Sequence, residues 1–105
     1  MINSLNSIII EGNVDGEVGL WDADKGKEGV FEVLSTRWSG RECLTLRVQI
    51  YTYGSLAESC HQYLESGRGV RVVGRLESYP GDKLAIRAEH CEFTVKKKVQ
   101  EKESA

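Results

Sequence analysis

Apolar and polar residues alternate along most of this chain, and the alternation breaks only where a helix or a turn interrupts it. From Glu42 to Tyr53, Leu44, Leu46, Val48 and Ile50 fall on one face at strict period two, with Thr45, Arg47, Gln49, Tyr51 and Tyr53 on the other. A run of this length predicts a long, curved strand able to serve both sides of a small barrel. The stretch SIIIEGNV, residues 7–14, predicts a first strand with Ile8 and Ile10 toward the core and Ile9 outward, which marks Ile9 as a candidate subunit contact. Val30 to Trp38 predicts a second strand, with Phe31, Val33 and Ser35 set against Glu32, Leu34, Thr36 and Trp38, and Ser39-Gly40 turns it into the third. Val70, Val72, Gly74 and Leu76 against Arg71, Val73 and Arg75 predict a fourth. In the last strand, Lys83 to Val95, the phase changes: Leu84, Ile86 and Ala88 share one parity and Cys91, Phe93 and Val95 the other, so a bulge is expected near Glu89 and His90.

Between the third and fourth strands the period becomes helical. Leu56, Cys60, Tyr63 and Leu64 recur on one side with Ala57, opposite Glu58, Gln62 and Glu65. Ser55 with Glu58 reads as a capping box, Gly67 as the left-handed residue past the helix end, and Gly69 as the opening of strand four. The acidic, glycine-rich segment Asp15 to Gly29, with Trp21 among Asp22, Asp24, Lys25 and Lys27, reads as a mobile connection. SYPGD makes the last turn, with Tyr79 beside the only proline, and the charged stretch from Lys96 onward is expected to fray. Three strands, a helix and two strands give an all-β fold with one helix: a five-stranded barrel of the oligonucleotide- and oligosaccharide-binding (OB) type, the helix plugging it between strands 3 and 4. Residues 1–95 are expected to form that domain and 96–105 a short tail.

At 105 residues the chain holds one core. Its formal charge of -2 advertises no anionic partner, but the distribution does. Residues 1–34 carry 2 basic and 7 acidic side chains, whereas residues 35–54 carry 3 and 1. The cations of the middle and late strands are mostly arginine, which stacks on flat π-systems and pairs bidentately with phosphate. No apolar run is long enough to span a membrane and no secretory signal opens the chain, so a cytosolic location is expected. Three widely spaced cysteines argue against a disulfide framework and read as small core residues.

Three blocks carry a resemblance: SIIIEGNV near the start, YGSLAESCHQYLESGRGVRVVGRL in the middle and AEHCEF near the end. In that order and at similar spacing they resemble the bacterial single-stranded DNA-binding protein family, over roughly Asn6 to Phe93. The resemblance implies a homotetramer that wraps single-stranded DNA without sequence specificity during replication, recombination and repair. Phosphates would be held by basic side chains and bases would stack on aromatics. Trp38 and Tyr53 match family aromatics that stack on bases. Arg47 stands where many members have an aromatic, and its guanidinium can lie flat on a base instead. The turn between strands four and five is short, and Tyr79 is the candidate to replace the aromatic of the longer family loop. Arg37, Arg71, Arg75, Lys83 and Arg87 complete the expected phosphate contacts. Family members continue into an acidic tail with a hydrophobic tip that docks replication and repair enzymes. This chain ends Lys-Glu-Ser-Ala, so tail-dependent docking is not carried over.

Other chemistries fit the residues less well. Cys60-His61 and His90-Cys91 match no zinc-ligand spacing, no cysteine is set beside a base with a third orienting group, and GRGVRVVG is a turn into a strand rather than a phosphate loop. No metal, cofactor or catalytic residue is expected. Two readings stay open: a module that coats single-stranded DNA, and a tail-less OB-fold adaptor acting in a replisome or primosome mainly through protein contacts, which the net negative charge favours.

Overall fold

The computed structural model describes residues 3–94. Its elements are β1 (Ile8–Ala23), β2 (Gly26–Ser39), β3 (Glu42–Tyr53), α1 (Gly54–Tyr63), β4 (Gly69–Tyr79) and β5 (Lys83–Phe93). The strands close into a barrel in the order β1-β2-β3-β5-β4, every pairing antiparallel except β3 with β5. With the helix between β3 and β4, this is an OB fold. The expected tail lies outside the described residues.

Closure follows from the alternation. Val14, Phe31, Val33, Ile50, Val70, Val72, Ile86 and Ala88 point inward and are all but inaccessible. Ala57 and Cys60 of α1, with Leu64 just past its end, stop one end of the barrel, so the helix contributes through its buried face rather than its propensity. Each large aliphatic buried this way contributes about 1.5–3 kcal/mol. The β5 phase change is a bulge: Val73 pairs with His90 and Gly74 with Ala88, leaving Glu89 as the extra residue. Gly74 is required there, because any Cβ would collide with the Arg87 carbonyl across the bulge.

Several local expectations are corrected. Residues 15–29 form no mobile connection: β1 runs on to Ala23 and pairs with β2 as far as Ala23↔Gly26, making a hairpin. A register shift between Asp15 and Gly19 breaks the alternation that would have revealed it. The helix has no capping box; its N-cap is the extended residue Tyr53, with no side-chain hydrogen bond. The helix ends at Tyr63, with the Leu64 amide donating to the Cys60 carbonyl. Gly67 is left-handed (φ 94°) but sits in a later turn, its amide donating to the Val14 carbonyl at 2.7 Å. Tyr63 is half exposed against Phe93 rather than buried.

Leu44 and Leu46 keep the expected parity but are exposed, because the β2–β3 hairpin extends beyond the barrel and none of the described residues covers its inner side. The cysteines divide as well. Cys60 is a core residue and Cys91 packs against the core, its thiol held above its ordinary pKa by the hydrogen bond to Cys60 and by burial, but Cys43 is exposed near the hairpin tip.

Candidate nucleic-acid interface

β3 supplies the backbone of the site. Its outward parity carries Arg47, Gln49, Tyr51 and Tyr53, and the parallel register with β5 sets Tyr51 beside Arg87. The antiparallel register of β5 with β4 then adds Arg75 opposite Arg87 and Tyr79 opposite Lys83. Residues far apart in sequence thus meet on one outer face.

Their geometry is specific. The Tyr51 and Tyr79 rings stack with centroids 4.3 Å apart and planes inclined by 14°. The Arg87 guanidinium lies 4.2 Å above the Tyr53 ring centroid, a cation–π contact. The Tyr53 and Tyr79 hydroxyls are 3.5 Å apart, and the Tyr79 hydroxyl donates to Glu77 Oε1 at 3.3 Å. Burial, together with the nearby Tyr53 hydroxyl and Glu77, raises the Tyr79 phenol well above its ordinary pKa, so it stays a neutral donor. A groove of about 510 Å³ runs along this cluster, lined by Glu28, Gln49, Tyr51, Tyr53, Tyr79, Pro80, Lys83 and Ala85. Aromatic walls, one cation at the rim and hydrogen-bonding groups at the base make it a slot for flat, polar-edged rings.

The remaining expected site residues are spread more widely. Trp38 projects from the hairpin tip on the same outward parity as Arg47 and is 69% exposed. Arg37 has the opposite parity, beside Leu44, and faces away from that surface. Arg71 lies round the barrel, on the outer side of β1, β4 and β5. Ile9, 67% exposed, shares that side through its pairing with Val73.

Three arginines are already engaged by carboxylates. Arg47 donates to Asp15 (2.7 Å) and Glu32 (3.0 Å), Arg71 to Glu11 (2.7 Å) with Glu92 at 3.5 Å, and Arg75 to Glu77 and Glu89 (both 3.0 Å). The hydrogen bonds to these carboxylates raise each guanidinium further above its ordinary pKa. A phosphate approaching any of them must displace a carboxylate, which is feasible because exposed ion pairs contribute little net stability. Arg37, Lys83 and Arg87 have no carboxylate partner among the described residues, and the Arg87 guanidinium lies over the Tyr53 ring. Two groove residues, Tyr51 and Gln49, were not among the expected site residues, although period two already put them on the face of Tyr53.

No family model and no curated protein matches the chain. Solved structures do. The small single-stranded DNA-binding protein of Streptomyces coelicolor superposes with a TM-score of 0.79 at 21% identity, covering 92% of this chain and 99% of that one. The Plasmodium falciparum SSB, solved in complex with ssDNA, gives 0.75 at 23% identity, covering 90% and 98%. The second single-stranded DNA-binding protein (SSBb) of Mycobacterium smegmatis gives 0.73 at 23%, covering 84% and 87%. The shared property is the fold. The superposition spans 84–92% of this chain.

Proposed function

We propose that this OB barrel binds single-stranded DNA without sequence specificity, as a non-enzymatic module serving replication, recombination and repair. The observation that carries the reading is the groove where Tyr51, Tyr53 and Tyr79 meet Arg87 and Lys83, on a fold shared with proteins that bind such DNA. Bases stack on the tyrosines and on the outer face of the Arg87 guanidinium, each stack contributing about 1–3 kcal/mol. Lys83 and Arg87 neutralise phosphates. Trp38 takes a base at the hairpin tip and Arg37 steers from its edge, while Arg47, Arg71 and Arg75 exchange a carboxylate for a phosphate on binding.

The same reading includes assembly and location. Ile9, exposed beside Val73, is a contact through which copies form a homo-oligomer, with a tetramer as the expected state in a cytoplasmic, nucleoid-associated protein. Residues 1–95 act as the DNA-binding domain. Titrating fluorescein-labelled oligo-dT at two salt concentrations tests the core of this. Anisotropy should rise at low salt and fall back as salt is added, and no rise at low salt would overturn the reading.

One observation favours the adaptor as a second reading: three arginines are occupied by carboxylates, while Leu44, Leu46 and Leu84 are exposed for a protein partner. A dimer by light scattering, together with weak dT binding, would select it.

A further inference from the structure

Trp21 lies outside the groove just described, and its setting is unusual for a residue near a turn. It belongs to β1 after the register shift, where Trp21 pairs with Glu28, and Glu28 pairs in turn with Tyr53 on β3. One row of outward side chains therefore crosses three strands: Trp21, Glu28, Tyr53. The row beside it is Gly19, Val30, Tyr51.

The indole does not stand away from the sheet. Its Cζ3 is 3.5 Å from where a Cβ would sit on Gly19, so the ring folds back along β1 over the one position in that row that has no side chain. The Val30 side chain borders the same point at 3.7 Å. The indole Nε1–H donates to Glu28 Oε1 at 3.2 Å, which fixes the ring's rotation. The side chain is nevertheless 40% exposed, so a large apolar surface in a set orientation faces solvent. A core tryptophan would be covered, and an idle surface tryptophan would not need a glycine bed and a carboxylate latch.

The local acidity opposes a nucleic acid less than its sequence neighbourhood implies. Asp22 has the opposite parity and is paired with Lys27 at 2.7 Å, which leaves Glu28, accepting from the indole N–H and still charged, as the one carboxylate in the Trp21–Tyr53 row. We propose that Trp21 is a base-stacking platform that extends the Tyr51–Tyr53–Tyr79 groove across β2 onto β1, held in its stacking orientation by Gly19 and Glu28. The bound strand would then cross the barrel from β4 to β1 and take one more base on the indole. Glu28, between the two platforms, positions the ring.

The inference rests on the proposed DNA binding, and the test separates the two. Trp21 and Trp38 are the only tryptophans, so Trp38→Phe leaves Trp21 as the sole indole. With that variant, labelled oligo-dT anisotropy reports binding while tryptophan emission reports Trp21 alone. Emission should be quenched in step with the anisotropy rise. In a chain that keeps Trp38, Trp21→Ala should weaken dT binding by about 5- to 10-fold, the low end for one stacked base, and Trp21→Phe should recover part of it. Circular dichroism checks that Trp21→Ala stays folded. If dT binds but the Trp21 emission does not move and Trp21→Ala binds like the parent, the platform is overturned and the DNA reading stands. If no variant or parent binds dT, the DNA reading itself fails.

Discussion

β4 presents two outward arginines, Arg71 near its start and Arg75 just past its middle, and the two ends of the strand are chemically unlike. Toward Tyr79, the outer face carries Tyr51, Tyr53, Arg87 and Lys83 around a groove, with Arg75 tied to Glu77 and Glu89 at its border. Toward Gly69, Arg71 is clasped by Glu11 and Glu92 beside the exposed Ile9, with no aromatic ring in the row. The two arginines are identical in sequence terms, both outward on one alternating strand. Both are held by carboxylates; what distinguishes them is the surface beyond, where β5 and β3 set Arg87 and the tyrosines next to Arg75, whereas β1 sets Glu11 and the exposed Ile9 next to Arg71. The Arg87 guanidinium on the Tyr53 ring presents a flat cation, while Arg71 and Arg75, each between carboxylates, are locally neutral.

The bulge at Gly74 separates the two ends, and breaking it should have the largest effect. Gly74→Val places a side chain against the Arg87 carbonyl and should cost about 1–3 kcal/mol, read as a lower denaturant midpoint, while moving Arg87 off Tyr53. An unchanged midpoint would mean that the bulge is slack. Next comes the contrast itself. Tyr53→Ala should weaken oligo-dT binding roughly 5- to 150-fold, the range for one lost stack, whereas Arg71→Ala should weaken it less than about 3-fold. Equal losses would erase the distinction between the two ends.

The contrast can also be reversed. Glu11→Gln with Glu92→Gln removes the carboxylates that a phosphate at Arg71 must displace, so dT affinity at low salt should rise and the dependence of log K on log salt should steepen by at most about 0.7, the share of one phosphate. An unaltered slope would show that no phosphate reaches that side. The smallest effect is chemical: Cys43, exposed at the hairpin, should react with a thiol reagent ahead of Cys91, and Cys60 should react only on unfolding. Bound dT should slow Cys43 alone, since it pairs with Trp38.

Much of this was legible in the chain. β3 was bounded at Glu42 and Tyr53 by its alternation, and the bulge at Glu89 was visible as a change of phase. β1 beyond Val14 was not, because a register shift hides alternation and the acidic composition mimics a loop. The helix boundaries failed at the caps, where a Ser-x-x-Glu pattern formed no box because the extended Tyr53 occupies the N-cap. In the site, Tyr53, Tyr79, Lys83 and Arg87 are each legible in the sequence, but nothing local joins them. Tyr51 shares the face of Tyr53, but no local partner marks it.

The sequence by itself determined which residues point in and which point out on five strands, where the helix interrupts them and where β5 must bulge. These are local consequences of a side-chain period of two and of one extra residue. The tertiary structure alone decided what each outward residue meets. The parallel β3–β5 register puts Arg87 on Tyr53, the β4–β5 register brings Tyr79 onto Tyr51, and the hairpin of β1 carries Trp21 into the row of Tyr53. The reason is physical: facing is fixed within a strand, whereas register between distant strands is fixed only when the barrel closes and its core fills.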